Sequence, residues 1–309
     1  MTKFVSGFIS FVGRPNTGKS TLTNALVGEK IAITANQPET TRHTIRGVVN
    51  RENSQIILCD TPGIHRPRTL LGERLNELVK DTFSDVDVVG FTFPANEKLG
   101  PGDKWILTNL QNFAPKTPIV GIVTKIDKVS PDEVAAKLTE VYAFLQEGLA
   151  EAGHKQENID VVPVSAKSGE QLDVLLNVFE TYLPEGPQFY PEGHITDEDT
   201  HTRMAELIRE AALGGLKHEL PHSVAVTIDE VLPNRTRKGT TDVHAVIYLE
   251  REGQKKIIMG KDGRRWGRII HNSRQSLCDL LGTNVYIDLR IKVLKNWQQD
   301  PKLLARLGF

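Results

Sequence analysis

Short apolar runs alternate with amphipathic segments through the first 183 residues of the chain. The runs at 8–12, 56–58 and 119–123 each have the length of a buried strand, and polar residues follow each of them directly. The segment 172–182 has the spacing of an amphipathic helix instead. This alternation predicts an α/β domain over residues 1–183, with a mostly parallel sheet and helices on both of its faces.

A stretch rich in proline and glycine separates this pattern from a second one. Residues 184–196 begin with PEGPQFYPEG and predict a linker. Beyond it, the pattern predicts a smaller α+β domain over residues 197–309. Its predicted elements are a helix over 197–214, strands over 224–228 and 245–249, a helix around Ile257, a helix over 266–281, a strand over 285–293 and a short final helix.

The sequence GRPNTGKS at residues 13–20 matches the phosphate-binding pattern G-x-x-x-x-G-K-[ST] in full. Gly13 and Gly18 let backbone N–H groups turn toward phosphate oxygens. Lys19 adds a positive charge, and Ser20 offers a hydroxyl ligand for Mg²⁺. The residues predicted to contact phosphate are Gly13, Arg14, Pro15, Asn16, Thr17, Gly18, Lys19, Ser20 and Thr21.

Polar motifs also follow three later strands, where open α/β sheets place their ligands. In DTPG, Asp60 is expected to hold Mg²⁺ through water and the Gly63 N–H to sense the γ-phosphate. The sequences TKID and SAK follow the next strands. The further residues predicted to contact the nucleotide are Asp60, Thr61, Pro62, Gly63, Ile64, Thr124, Lys125, Asp127, Ser165, Ala166 and Lys167.

These motifs resemble those of the translation-factor-type GTPases, whose base-reading sequences are [NT]KxD and SA[KL]. The resemblance implies that Asp127 accepts hydrogen bonds from guanine, that Lys125 lies along the base plane, and that the backbone at Ser165 reaches the 6-oxo group. Adenine would leave the carboxylate unpaired, so GTP and GDP are the expected nucleotides. Thr124 stands where most members have asparagine, and we therefore expect weaker nucleotide affinity with the guanine specificity retained.

The polar segment 35–44 lies between the phosphate loop and Asp60 and contains no apolar period. It is either an ordinary surface connection or, by the same resemblance, switch I. The predicted switch I residues are Glu39, Thr40, Thr41, Arg42 and His43. Thr41 is expected to complete a Mg²⁺ shell with Ser20 and Asp60, and Thr40 is the alternative.

Two further positions bear on GTP hydrolysis. Ile64 stands where the Ras-like branch has a water-orienting glutamine, so the intrinsic rate is expected to be slow. Asn16 either helps to hold K⁺ near the phosphates, as in some related GTPases, or stabilises the turn. The residues expected to act in catalysis are Lys19, Thr41, Gly63 and Asn16.

The net charge of −1 conceals an uneven distribution. From Arg251 to the end, thirteen Lys and Arg face five Asp and Glu, which gives +8 there and −9 for the remainder. Such a basic end indicates a polyanionic partner. Within it, GKDG at 260–263 follows a strand pair and precedes an amphipathic helix, and this arrangement resembles the bacterial type II KH module, which clamps about four nucleotides of single-stranded RNA. The predicted RNA contacts are Lys255, Lys256, Gly260, Lys261, Asp262, Gly263, Arg264, Arg265 and Arg268.

A GTPase domain followed by a KH module resembles the Era-type GTPases, within the TrmE-Era-EngA-like group. The likeness includes TTRH at 40–43, EREGQKK at 250–256 and K-x-W-x-x-D at 295–300. It implies binding to the 3′ end of 16S rRNA and assistance in 30S subunit assembly by a monomer. A passive RNA chaperone, or a GTPase that acts at a membrane surface, are the alternatives.

The location of the protein is expected to be cytoplasmic. The first apolar stretch runs directly into the phosphate loop and is interpreted as a strand rather than a signal peptide. Cys59 and Cys278 lie in different predicted domains and are interpreted as reduced thiols. The family resemblance adds peripheral association with the cytoplasmic face of the cell membrane.

Overall fold

The computed structural model describes residues 3–34, 41–63, 67, 69–151, 153, 156, 158–216 and 223–309. The chain divides into two compact units. The first comprises residues 1–34, 38–66 and 74–197, and the second comprises residues 35–37, 67–73 and 198–309. Each unit has a sheet of its own.

The described residues of the first unit contain a six-stranded sheet with the order β2-β3-β1-β4-β5-β6. Its strands are β1 Val5–Val12, β2 Ile45–Arg51, β3 Ser54–Asp60, β4 Val88–Pro94, β5 Ile119–Thr124 and β6 Val161–Pro163. β2 pairs antiparallel with β3, and every other pairing in this sheet is parallel. The predicted mostly parallel sheet is therefore confirmed.

Helices cover both faces of this sheet. They are α1 Lys19–Val27, α2 Leu70–Ser84, α3 Pro101–Phe113, α4 Pro131–Glu151 and α5 Leu172–Tyr182. One core packs side chains of α2, α3 and α4, such as Phe83 and Leu145, against the sheet. The other packs side chains of α1 and α5, such as Leu22 and Phe179, against the opposite face. The strands between these layers are apolar on both faces, as a buried parallel sheet requires.

The segment predicted as a linker lies against the first unit. The backbone N–H of Ser6 donates to Pro184 (3.1 Å), and its hydroxyl donates to the Pro187 carbonyl (2.6 Å). The side chain of Gln55 accepts from the backbone N–H groups of Phe189 and Tyr190, at 2.7 and 2.9 Å. Residues 184–196 are thus held along the sheet, and the division between the two units falls after Asp197.

The second unit has the element order that was predicted for a type II KH module. Its elements are α6 Thr200–Leu213, β7 Ala225–Pro233, β8 Thr240–Leu249, α7 Glu252–Met259, α8 Arg264–Leu281, β9 Asn284–Val293 and α9 Pro301–Arg306. β8 is the middle strand, antiparallel to β7 and parallel to β9. Side chains of α6, α7 and α8, including Ile208, Ile258 and Leu277, form a core with one face of the sheet.

Among the helices in the described parts of the chain, none is both long enough and apolar enough for a bilayer crossing.

Candidate functional site

The phosphate loop connects β1 to α1, and its backbone takes conformations that require glycine. Gly13 has φ 153° and Gly18, which precedes the first residue of α1, has φ 101°. A Cβ atom on Gly13 would lie 2.2 Å from the Thr92 hydroxyl, so no larger side chain fits there. The loop therefore ends at the N-terminus of a helix with its backbone N–H groups available for an anion.

The side chain of Lys19 curls back over this loop. Its Nζ donates to the carbonyl oxygens of Gly13 (3.0 Å) and Arg14 (3.1 Å). Burial lowers the pKa of Lys19 to about 8, although the negative charge of Asp60 opposes the shift. A bound phosphate would relieve this cost, because it supplies a negative charge beside the amine.

Two side chains from the end of β5 hold the far side of the same loop. The Thr124 hydroxyl donates to the Thr17 carbonyl at 2.6 Å, and both residues are buried. Lys125 Nζ donates to the Asn16 carbonyl at 2.5 Å. Side chains thus engage carbonyl groups along the loop, which leaves its N–H groups for the phosphates. Threonine at position 124 therefore contacts the phosphate loop through its hydroxyl, and the weaker nucleotide affinity expected from it stays a prediction.

The three predicted Mg²⁺ ligands come together at the end of β3. The Ser20 hydroxyl donates to Asp60 Oδ2 at 2.7 Å, and the Thr41 hydroxyl donates to the same oxygen at 3.1 Å. The two hydroxyl oxygens lie 3.1 Å apart. Burial raises the pKa of Asp60, while the hydrogen bond from Ser20, the charge of Lys19 and the hydrogen bond from Thr41 lower it.

The surroundings of Asp60 fit a divalent cation. The side chain is fully buried, and within the described residues its Oδ1 has no hydrogen-bond partner. A buried carboxylate oxygen without a partner is costly, and a cation would satisfy it. One carboxylate with two hydroxyls suits Mg²⁺, which takes few protein ligands and completes its shell with water and phosphate oxygens. Gly63 lies beside Lys19, since a Cβ placed on it would be 3.9 Å from Lys19 Nζ.

The predicted base-reading residues also meet. Asp127 is exposed in a 3₁₀ turn that follows Lys125, and its Oδ1 accepts from the Ser165 hydroxyl at 2.7 Å. The same hydroxyl accepts from the backbone N–H of Ser168 at 3.2 Å. Ser165 is buried, whereas Ala166 is half-buried beside it. The ends of β5 and β6 thus present one carboxylate and one backbone segment together.

Sequence reasoning missed an acidic residue that connects the two ends of this site. Glu97 lies 3.3 Å from the Arg14 guanidinium and 3.6 Å from Lys125 Nζ. Arg14 also donates to Asp103 Oδ1 at 3.0 Å, and Asp103 is buried at the start of α3. Glu97 follows β4, so the carboxyl end of a fourth strand was the available signal. Arg14 is consequently turned toward carboxylates rather than toward the phosphate position.

The other predicted residues of the first unit are placed as follows. Four of them are exposed: Pro15, Asn16, Thr21 and Lys167. Three are buried, namely Arg42, Thr61 and Pro62, and His43 is half-buried. Glu39, Thr40 and Ile64 lie outside the described residues.

The GKDG turn connects α7 to α8, and three of its four residues have a positive φ. Gly260, Asp262 and Gly263 have φ values of 70°, 56° and 71°. A Cβ on Gly260 would lie 2.5 Å from the Cβ of Arg265, so the turn packs closely on the first residues of α8. This close packing is the physical reason for glycine at position 260.

Most of the predicted RNA-contacting cations surround this turn. Lys256, Lys261, Arg264 and Arg268 are exposed, and Arg264 pairs with Asp262 at 3.3 Å. Lys255 pairs with Glu252 at 3.0 Å. These side chains form a basic surface at the N-terminal end of α8.

Arg265 differs from the cations around it. Its guanidinium donates to the carbonyl groups of Ala212 (3.3 Å), Gly214 (2.7 Å) and Gly215 (3.5 Å). Burial and then the charge of Arg268 lower the pKa of Arg265. The side chain therefore caps the C-terminal end of α6, where carbonyl groups have no partner within the helix.

Comparison with known proteins agrees with this geometry. A family described as 50S ribosome-binding GTPase matches residues 8–125, and a family described as KH domain matches residues 219–298. GTPase Era of Corynebacterium diphtheriae is 69% identical over 306 residues, which cover 99% of this chain and 97% of that protein. GTPase Era of Mycolicibacterium smegmatis is 59% identical over 309 residues, and the alignment covers 100% of both.

Two solved structures are similar over the full length. One is Era in complex with MgGDPNP and nucleotides 1506-1542 of 16S ribosomal RNA, with a TM-score of 0.90 and 35% identity, covering 99% of each chain. The other is a variant of Aquifex aeolicus Era bound to GDP.AlF4⁻, with a TM-score of 0.89 and 35% identity over the same share of both chains.

Proposed function

Because the chain belongs to the Era family of GTPases, we propose that it is a GTP-driven switch whose KH unit binds single-stranded RNA near the 3′ end of 16S rRNA. In this role it assists assembly of the 30S ribosomal subunit. The observation that carries the proposal is the convergence of the Ser20 and Thr41 hydroxyls on one oxygen of buried Asp60. This arrangement joins the phosphate loop, the switch I segment and the end of β3 at one point.

The residues of the site have separate roles in GTP hydrolysis. Lys19 stabilises negative charge on the β- and γ-phosphates, and the N–H groups of the phosphate loop surround their oxygens. Ser20, Thr41 and Asp60 would hold a Mg²⁺ ion, which would supply positive charge against the phosphates. Asp127 selects guanine. Ile64 cannot orient the attacking water, so the intrinsic rate is slow until another group performs that task.

Switching depends on contacts that only the triphosphate provides. Thr41 and Gly63 lie on different segments, and each would contact the γ-phosphate, Thr41 from its place beside Asp60 and Gly63 from its place beside Lys19. Loss of that phosphate releases both segments, as in other nucleotide switches. A typical coupling of about 1–3 kcal/mol would change RNA affinity roughly 5- to 150-fold between nucleotide states. RNA must then change nucleotide affinity by the same factor.

The proposed RNA target is supported by the relative that was solved with 16S rRNA nucleotides, which aligns with 99% of this chain. In this chain, the exposed cations around Gly260 and Gly263 offer phosphate contacts in a KH setting. We place the protein in the cytoplasm as a monomer. Peripheral contact with the membrane is a further proposal, which cell fractionation would test.

Asn16 has φ 63° at an exposed position of the phosphate loop. Asparagine tolerates this left-handed conformation, which supports a role in the turn. A role in K⁺ activation stays a prediction, and hydrolysis rates in K⁺ and Na⁺ buffers would test it.

The decisive experiment is crosslinking to cellular RNA in the presence of GDP or a nonhydrolysable GTP analogue. We expect enrichment of the 16S rRNA 3′ end that depends on the nucleotide. The Lys19→Ala variant should lose this dependence, whereas Lys116→Ala, at an exposed position of the same unit, should keep it. A passive chaperone would support ribosome assembly equally well with Lys19→Ala. Enrichment of RNA outside the small subunit would contradict the assignment.

A further inference from the structure

A second basic cluster lies on the hairpin loop between β7 and β8. Arg235, Arg237 and Lys238 occupy three of four successive positions, and all three side chains are exposed. In the described part of the chain, none of the three forms an ion pair with a carboxylate. The loop therefore presents three exposed cations. We call these three residues the hairpin tip.

The hairpin tip is an ordered turn rather than a loose loop. The backbone N–H of Asn234 donates to Thr240 (2.9 Å), and its side-chain oxygen accepts from the backbone N–H of Arg237 (2.7 Å). The Thr283 hydroxyl, just before β9, donates to the Gly239 carbonyl at 2.8 Å. The tip is consequently fixed to the start of β9, so little backbone order remains to be gained when a ligand binds.

An exposed aromatic side chain lies on β9, opposite the first residues of β8 that follow the tip. Val285 and Ile287 belong to the core of the second unit, so Tyr286 points to the opposite face of the sheet, where it is 54% exposed. Across the sheet, Tyr286 on β9 lies opposite Asp242 on β8, and Asp242 lies opposite Leu232 on β7. Leu232 is 45% exposed. The carboxylate of Asp242 accepts from the Asn234 amide at 2.7 Å. Cations next to an exposed aromatic ring are the combination that binds single-stranded nucleic acid.

The hairpin tip is far from the GKDG turn. β8 has ten residues between the tip and α7, which corresponds to about 33 Å. Independently, the contact of Thr283 with Gly239 places the tip at the C-terminal end of α8, whereas the GKDG turn precedes its N-terminal end. The eighteen residues of α8 span about 27 Å. A clamp of about four nucleotides at the turn is a different site from one at the tip.

We propose that the hairpin tip and Tyr286 form a second RNA contact, which binds the phosphodiester backbone and one base of a segment outside the nucleotides held at the GKDG turn. This inference rests on the proposed RNA binding of the KH unit. Recognition at the tip would be independent of sequence, because cations read the backbone and a tyrosine ring accepts any base. The tip would thereby increase the affinity for long RNA and would set the direction in which the RNA runs from the GKDG turn across the second unit.

The test compares two RNA probes on the full chain. One is an oligonucleotide of about four nucleotides that fills the GKDG site, and the other carries the same sequence with additional backbone of about 30 Å. The variant replaces Arg235, Arg237 and Lys238 with alanine. Its control replaces three other exposed cations, Lys104, Lys116 and Lys302, with alanine, so that the net charge of the protein changes by the same amount.

We expect the tip variant to bind the short probe as the control does. On the long probe, the slope of log affinity against log salt should be smaller by about 2, because each phosphate contact contributes about 0.7. Tyr286→Ala should weaken only the long probe, about 5- to 150-fold, since stacking contributes about 1–3 kcal/mol per base. Tyr286→Phe should restore that binding, because the phenylalanine ring still stacks.

Two results would overturn this inference. Equal losses on both probes would mean that the tip acts only through the general positive field. Wild-type affinity of the tip variant for the long probe would mean that the cations have no RNA contact. Failure of the unchanged protein to bind either probe would instead contradict the proposed function itself.

Discussion

The hydrogen bond between Thr124 and Thr17 gives the most specific prediction about nucleotide binding. The hydroxyl of Thr124 donates to the Thr17 carbonyl at 2.6 Å, and the two residues are 4% and 0% exposed. Thr124→Val keeps the shape of the side chain but removes the donor. A buried carbonyl without a partner costs about 1–3 kcal/mol. In the variant, we expect the loop to turn this carbonyl toward water when no nucleotide is bound, so that the cost appears when GDP holds the loop in place.

We therefore expect Thr124→Val to weaken GDP affinity about 5- to 150-fold, because 1.4 kcal/mol is about tenfold. Titration calorimetry at fixed Mg²⁺ measures this change. Thr124→Ser is the matched control, since it keeps the hydroxyl and should bind nearly as the unchanged protein does. If Thr124→Val binds GDP with unchanged affinity and melts at the same temperature, the bond does not organise the phosphate loop, and this reasoning is refuted.

Three further predictions concern Lys19, Glu97 and Arg265. Burial lowers the pKa of Lys19 to about 8, and a bound phosphate favours its protonated form. GDP affinity should therefore fall up to about tenfold per pH unit above pH 8. If calorimetry gives the same GDP affinity from about pH 7 to pH 10, this expectation is wrong. Glu97→Gln should weaken GDP binding by no more than about fivefold, because partly exposed ion pairs contribute about 0–1 kcal/mol; a larger loss measured by calorimetry would show a direct role. Arg265→Ala should destabilise the second unit by about 1–3 kcal/mol in denaturant unfolding. Arg264→Ala should leave the free energy of unfolding unchanged and reduce RNA affinity. If the two variants are equally stable, Arg265 does not cap α6.

The apolar runs predicted the buried parts of the fold well and the exposed parts poorly. The helical pattern at 172–182 corresponds to α5, and the run at 119–123 corresponds to β5. By contrast, the strands predicted at 224–228 and 245–249 extend to Pro233 and begin at Thr240. The added residues form the distal part of a hairpin, where outward positions such as Asp242 are polar. Backbone pairing, rather than apolar periodicity, maintains the strands there.

The candidate site was predictable where a motif fixes the backbone and unpredictable where side chains meet across the fold. Ser20 and Asp60 follow from two motifs at the ends of β1 and β3, which are neighbouring parallel strands. The bridging position of Glu97 depends on two side chains that come from different loops. Arg265 shows the same limit, because nothing in a basic run tells which cation caps a helix and which faces solvent.

The hydrogen bonds from Thr124 and Lys125 to the phosphate loop connect base recognition with phosphate binding. Thr124 and Lys125 belong to the predicted base-reading motif, and in this structure their side chains donate to carbonyl groups of the phosphate loop. A loop whose carbonyl groups are held from outside is oriented for an anion before one arrives, which is the arrangement that electrostatic preorganisation requires. A base that displaces Lys125 from its position would also release the Asn16 carbonyl. Discrimination against adenine nucleotides should therefore reach the phosphates as well as Asp127, and the substitution of threonine for asparagine leaves this connection intact.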